Sequence, residues 1–510
     1  MFPRTKWLLL MMGLLLESQV SAADAPSQEQ VQAALARASG FFQQEVASGG
    51  GYVYAYSGDL TLREGEGKAE KNVIWVQPPG TPAVGEAFLD AYEATRDELH
   101  LQGAYAAANA LVRGQLQSGG WNYHVIVEGD GRRTSAYRAD HPGDADPNSQ
   151  KPGKPGAGWD VWKQRKGKGN ITTLDDDTTQ AATRFLIRTD KALKFKDQPI
   201  HEAALYALSS LLNAQYANGG WSANHDRYPT NPPNEQEYPI IKASYQETWS
   251  WTWTKDFTGC YVTNDNLMSD MIDTMLLAAE VYGDKKYIAC AEKAGDFLIL
   301  AQMPEPQRAW AQQYDAKMQP CWSRAFEPPA ISGGESQAIL EALLRLYRAT
   351  GKRKYLEPIP PALAWMKKSA LPDDRLARFY ELKTNKPLYF VKQADGREVL
   401  TYSSDDLPTH YGFIVSSRAN RIEKEYQKVL RGSYPKKDNG QIGAERSGKV
   451  SDETAARVRK VMGLLDGRGA WVERGKLRTY AKHPEGDIIR SQTFINNVRL
   501  LSGYLNSLEK

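Results

Sequence analysis

Apolar residues recur every three or four positions over 28–44, 100–117, 199–215, 268–282, 287–302, 334–350 and 355–366, the stripe of an amphipathic helix in each case. Several of these stripes end against Gly, Asn or Pro, which stop helices. From Arg378 the period shortens. RFYELKTNKPLYF is two alternating runs around Thr384-Asn385-Lys386, a hairpin signal, and REVLTYSSDDLPTHYGF continues in extended form, so a small β element is expected at about 375–415. Helical spacing returns over 418–430 and 452–465, and RSQTFINNVRLLSGYLNSL closes the chain. Long polar stretches separate some of these elements, at 132–170 and 223–262, and loops of such length are functional or disordered in compact proteins. Tyr245, Trp249, Trp251 and Trp253 lie in the second and speak for order.

The helices repeat a phrase. GQLQSGGWNY ends one and AQYANGGWSA another, with Gln115 matching Gln215 and Trp121 matching Trp221, and AQMPEPQRAW is a weaker third copy. Helices ending on such units predict hairpins laid side by side, and a ring of them is a mainly α, α/α toroid-like fold with a central cleft and a small β element.

Composition narrows the function classes. The chain has 510 residues with 64 Lys+Arg against 61 Asp+Glu, a net charge of +3 that gives no reason to expect nucleic acid or an anionic membrane as partner. Arg4 and Lys6 precede an apolar run from Trp7 to Leu16, too short for a ~30 Å hydrocarbon core, and Val20-Ser21-Ala22 is a small-x-small cleavage site. A signal peptide over 1–22, cleaved after Ala22, predicts a periplasmic or extracellular protein, with 23–510 as one toroid-like unit. In an oxidising compartment Cys260, Cys290 and Cys321 allow at most one disulfide and leave one thiol.

Three segments carry candidate chemistry. Asp175-Asp176-Asp177 stands where a Gly/Lys-rich loop enters a helix, and adjacent carboxylates are hard donors that suit Ca²⁺ or Mg²⁺ rather than zinc. Asn264-Asp265-Asn266 opens another helix with three oxygen-bearing side chains; alone it reads as a capping phrase. In WSRAFEPPAISGGESQAI, Arg324 is braced by Pro328-Pro329, as an anion clamp or catalytic group would be, and a salt bridge to Glu327 is the plainer reading.

These segments, with TLDDDTTQAATRFLIR, NGGWSANHDRYP and RFYELKTNKPLYF, resemble the family 10 polysaccharide lyases, the pectic acid lyases, from about Gly40 to the C-terminus. The resemblance implies an α/α toroid-like fold and calcium-assisted β-elimination of polygalacturonate; a monomer is expected. The family's catalytic acidic pair falls on Asp175 and Asp176, the second often Asn in other members. The cation would be held by Asp175, Asp176 and Asp265. The catalytic arginine falls on Arg324, and Arg490 matches an arginine that binds substrate carboxylate, with Arg468 as a further candidate. Trp221 and Lys255 are further candidate substrate contacts. The C5 proton of a uronate, α to its carboxylate, is removed by a base, and loss of the C4 oxygen leaves an unsaturated end. Arg324 as that base conflicts with the ordinary arginine pKa above about 12. A lyase-like protein that binds carbohydrate without cleaving it, an α/α-toroid glycoside hydrolase and a triterpene cyclase-like enzyme remain open alternatives.

Overall fold

The computed structural model describes residues 25–140, 169–226, 238–253, 261–433 and 451–508. Twelve α-helices are found among the described residues: Gln28–Phe41 (α1), Thr81–Thr95 (α2), Glu98–Gly114 (α3), Thr178–Ala192 (α4), Gln198–Asn213 (α5), Leu267–Tyr282 (α6), Lys285–Ala301 (α7), Glu335–Thr350 (α8), Ile359–Lys368 (α9), Ala419–Leu430 (α10), Asp452–Gly463 (α11) and Ser491–Leu508 (α12). Helices α12, α2, α4, α6, α8 and α10 pack in that order, each against the next, and form the inner row. The others lie outside it, with α3 on α2, α5 on α4, α7 on α6 and α1 on α12. The fold is therefore mainly α, an α/α toroid-like arrangement of hairpins.

The two rows begin differently. Outer helices α1, α3, α5, α7 and α11 start on Ser27, Asp97, Asp197, Asp284 and Ser451, whose side chains accept from backbone N–H groups of the first turn. Inner helices α2, α4, α6, α8 and α10 have no side-chain cap.

The repeated phrase joins the rows. Trp121, Trp221, Trp310 and Trp471 each donate an indole N–H to a carbonyl near the end of the preceding outer helix: Leu111 at 2.9 Å, Leu211 at 2.9 Å, Leu298 at 2.7 Å and Val461 at 2.8 Å. The third copy is thus genuine, and Trp471 is a fourth that the sequence reading lacked. The glutamines also repeat: Gln115, Gln215 and Gln302 donate to Ala203, Cys290 and Pro358 carbonyls at 2.9, 3.1 and 2.9 Å, tying each outer helix to the next. In the first two copies glycine is needed before the indole, whereas Arg308-Ala309 precede Trp310. Gly119 and Gly219 have φ of 104° and 96°, and a Cβ on either would lie 2.1 Å from Ser210 Cβ or 2.0 Å from Lys293 O. After each tryptophan the chain pairs with a short strand that enters an inner helix: Thr173 N–H donates to Trp121 O at 2.8 Å, Val262 to Trp221 O at 2.9 Å and Ser332 to Trp310 O at 2.7 Å.

The β element lies where the alternation places it. Phe379–Glu381 pairs with Pro387–Lys392 in antiparallel register, Phe379 opposite Leu388, and Ala330–Ser332 and Glu398–Thr401 complete a four-stranded sheet. Helix α2 is the principal element absent from the sequence reading altogether. It is buried from Val84, Gly85 and Ala87 to Phe88, Leu89 and Ala91, and its polar stripe of Glu86, Asp90 and Glu93 is engaged by Arg188 of α4.

Candidate functional site

Two inner helices open on the same unusual turn. Before α4, Asp176 (φ 51°, ψ 37°) and Asp177 (φ 57°) are left-handed; before α6, Asp265 (φ 46°, ψ 37°) and Asn266 (φ 63°) are left-handed too. Asp and Asn tolerate this region better than other residues with a Cβ, which accounts for their presence there. The strands before the turns are equivalent as well. Thr172–Thr173 pairs with Asn224–His225, and Tyr261–Val262 pairs with Gln313–Tyr314. The turns pack together, and oxygens of Asp175, Asp176 and Asp265 all come within 4.8 Å of one another.

The three carboxylates repel one another in a poorly hydrated place. Burial, then the charge of Asp176, raises Asp175 to about 7; burial, then Asp265 and Glu66, raises Asp176 to about 7; burial, then Asp175 and Glu335, raises Asp265 to about 8. Donors hold them in place. Tyr123 Oη donates to Asp175 Oδ2 at 2.8 Å, Gln77 Nε2 to Asp176 Oδ2 at 3.0 Å and Asn264 Nδ2 to Asp265 Oδ2 at 2.9 Å. The third carboxylate of the run, Asp177, faces elsewhere and takes a 2.5 Å hydrogen bond from Arg184. Clustered hard oxygens with an excess of negative charge fit a divalent cation such as Ca²⁺.

Arg324 borders this cluster, with Nη2 3.6 Å from Asp265 Oδ2. It also pairs with Glu327, as the plainer reading expected. Nη2 donates to Glu327 Oε1 at 2.5 Å and the Arg324 N–H donates to Oε2 at 3.2 Å. Glu327 is fully buried and accepts further from Asn264 Nδ2 at 3.1 Å and Tyr411 Oη at 3.3 Å. Burial disfavours the Arg324 charge, but the hydrogen bond and charge of Glu327, with Asp175 and Asp265, outweigh it and raise its pKa. A neighbouring buried acid, Glu335, is held by Arg378 Nη1 at 3.0 Å and Gln312 Nε2 at 3.1 Å.

A family model described as pectic acid lyase matches residues 148–432. The chain belongs to the pectic acid lyase family. Asp175, Asp176, Asp265 and Arg324 all lie within the matched span of this family member, whereas Gln77, Tyr123 and Arg490 lie outside it. Among solved structures, the family member is similar to a family 10 polysaccharide lyase from Cellvibrio cellulosa, solved as a mutant in complex with trigalacturonic acid. Identity is 19%, coverage 68% of this chain and 98% of that one, and the TM-score 0.41. It is also similar to an α-1,6-mannanase from Salegentibacter sp. (13% identity, 94% and 99% covered, TM-score 0.38) and a cellobiose 2-epimerase from Bacillus thermoamylovorans (13%, 91% and 95%, 0.44). No curated protein matches the sequence.

The other expected site residues are dispersed. Arg490 closes the strand before α12 at the inner-row end, with Nε 3.4 Å from Glu473 Oε2. Arg468 pairs with Asp466 at 2.9 Å and donates to Gly58 O at 2.8 Å, beside the end of outer helix α1, where its guanidinium covers the Phe41 ring. Trp221 is fully buried and belongs to the core, so its ring is unavailable to a ligand. Lys255, Cys260 and residues 1–22 lie outside the described residues; Cys290 is a buried free thiol that donates to Gln215 Oε1 at 3.3 Å. No described helix is long and apolar enough to cross a membrane. The sequence reading missed Gln77, Tyr123 and the role of Asn264. For Tyr123 a signal existed, two residues after the repeated Trp121. Gln77 precedes α2, the helix absent from the sequence reading.

Proposed function

We propose that this protein is an exported, monomeric pectate lyase that cleaves polygalacturonate or a related uronate polymer by calcium-assisted β-elimination. One observation carries the reading: three carboxylates from two inner-helix turns converge within 4.8 Å, with an arginine guanidinium 3.6 Å from one of them. Asp175, Asp176 and Asp265 would hold the cation. Bound there, Ca²⁺ would take the substrate carboxylate, stabilise enolate-like charge and offset the carboxylate field that keeps Arg324 protonated. Arg324 is positioned by Glu327 through both its guanidinium and its backbone, and serves as the group that takes the C5 proton. Tyr123 and Gln77 orient Asp175 and Asp176. Arg490 binds a neighbouring uronate carboxylate through charge-assisted hydrogen bonds.

The Glu327–Arg324 pair also favours a second reading, in which the protein binds the polymer without cleaving it, because a paired arginine is a poor base. The deciding experiment is growth of ultraviolet absorbance on polygalacturonate with Ca²⁺ and then with a chelator. Conjugated product that vanishes on chelation supports the lyase. Polymer binding with no product under any divalent cation supports the second reading.

A further inference from the structure

The segment between the two acidic turns meets the β element in a pair of exposed rings that the reaction above does not use. Trp251 and Tyr402 are 41% and 46% exposed, among the most open large apolar side chains of the described residues. Their ring centroids lie 5.3 Å apart with planes at 76°, so the two rings make a corner. Behind it, Trp249 stacks on Trp251 at 5.5 Å and 15°. Tyr402 is fixed from below, where its hydroxyl donates to Glu381 Oε1 at 2.9 Å. Lys386 stands over the Tyr402 ring with Nζ 5.1 Å from the centroid, and no ion pair engages it among the described residues.

This corner is fastened to the loop that carries Arg324. Trp322 Nε1 donates to Ser250 O at 2.7 Å, and Trp253 Nε1 donates to Ser323 O at 2.9 Å. Two reciprocal indole bonds thus bracket Trp251 on one side and end next to Arg324 on the other. Exposed, packed rings with one cation beside them suit a ligand that is flat, weakly apolar on its faces and anionic at its edge. A pyranose ring bearing a carboxylate is such a ligand. A protein or membrane partner would call for a broader apolar area than two rings.

We propose that Trp251, Tyr402 and Lys386 form a distal subsite for a further uronate residue of the same polymer, remote from the bond that is cleaved. The rings stack on a sugar face and Lys386 meets its carboxylate. The proposal rests on the uronate reading above and deepens it. Because the subsite is tied to the Arg324 loop, occupying it aligns the chain along the cleft without touching the reacting atoms.

The test compares wild type with Trp251→Ala, Tyr402→Ala and Lys386→Ala, using polygalacturonate and its trimer, with thermal unfolding as a control on folding. The expected result is a fall of about fivefold or more in the ratio of polymer to trimer kcat/KM, carried by KM, with Trp251→Tyr restoring most of it. Unchanged ratios in all three variants, or an equal loss in kcat on both substrates, would overturn the subsite. Quenching of tryptophan fluorescence by the polymer in chelator separates this failure from failure of the lyase reading. A wild type that forms no product but is quenched, with quenching lost in Trp251→Ala, keeps the subsite while the lyase falls. A wild type neither active nor quenched removes both.

Discussion

The turns before α4 and α6 have nearly superposable backbone angles and different side chains. Position one is buried in both, as Asp175 and Asn264; position two is Asp in both, as Asp176 and Asp265; position three is Asp177 and Asn266. The first turn thus places two carboxylates in the cluster and spends its third on Arg184, while the second turn places one. Asn264 cannot readily be an acid, because its amide donates to both Asp265 and the buried Glu327. A repeated backbone unit supplies geometry twice, and the side chains divide the labour: one turn concentrates charge, the other links that charge to Arg324.

Removing the lone carboxylate of the second turn should have the largest effect. Asp265→Asn is expected to lower the rate of unsaturated-product formation about 10³-fold, and Asp176→Asn less, because Asp175 remains beside it. An Asp176→Asn loss as large as that of Asp265→Asn would show the turns to be equal contributors. Arg324→Lys should lose about 10²-fold or more, measured by the same absorbance; near-full activity would remove Arg324 as the base.

Asn264→Asp makes the second turn resemble the first and sets a new carboxylate against Glu327. In chelator it should cost about 2–4 kcal/mol in urea unfolding, with part of the loss recovered on adding Ca²⁺. Asp177→Asn makes the first turn resemble the second and removes the carboxylate from Arg184, which keeps its bonds to Asp270 O and Thr274 Oγ1. Both side chains are about a quarter exposed, so the cost should be only ~1–2 kcal/mol by the same measurement, with cation affinity little changed.

Protonation offers a gentler way to weaken the cluster. The folded pKa values of Asp175, Asp176 and Asp265 lie at about 7, 7 and 8, above the ordinary 3.8. The folded state therefore binds more protons than the unfolded one across that window, and without cation the contribution of these acids to stability falls as pH rises through it. A dication needs the deprotonated forms. The Ca²⁺-induced rise in Tm should accordingly be larger at about pH 8.5 than at about pH 6, and equal rises would place the cation elsewhere.

Much of this was readable from the chain alone. The outer helices announce themselves because one face is wet, so their apolar stripe has a period and their starts carry Ser or Asp caps. The repeated Gly-Gly-Trp phrase marks hairpin ends because a positive φ and a buried indole admit few alternatives. Asp175, Asp176, Asp265 and Arg324 stood out as oxygen donors and a braced cation. Local sequence could not show that residues 176 and 265 meet, since that depends on α4 packing against α6. Nor could it show that Trp221 turns into the core, or that Arg468 is held by Asp466 and Gly58 near α1. The sequence by itself determined which segments are helices with an exposed face and which residues could bear charge near a helix start, because those follow from neighbours three or four positions away. Only the tertiary structure decided which charges share one site, because carboxylates come within 4.8 Å by the packing of inner helices distant in sequence.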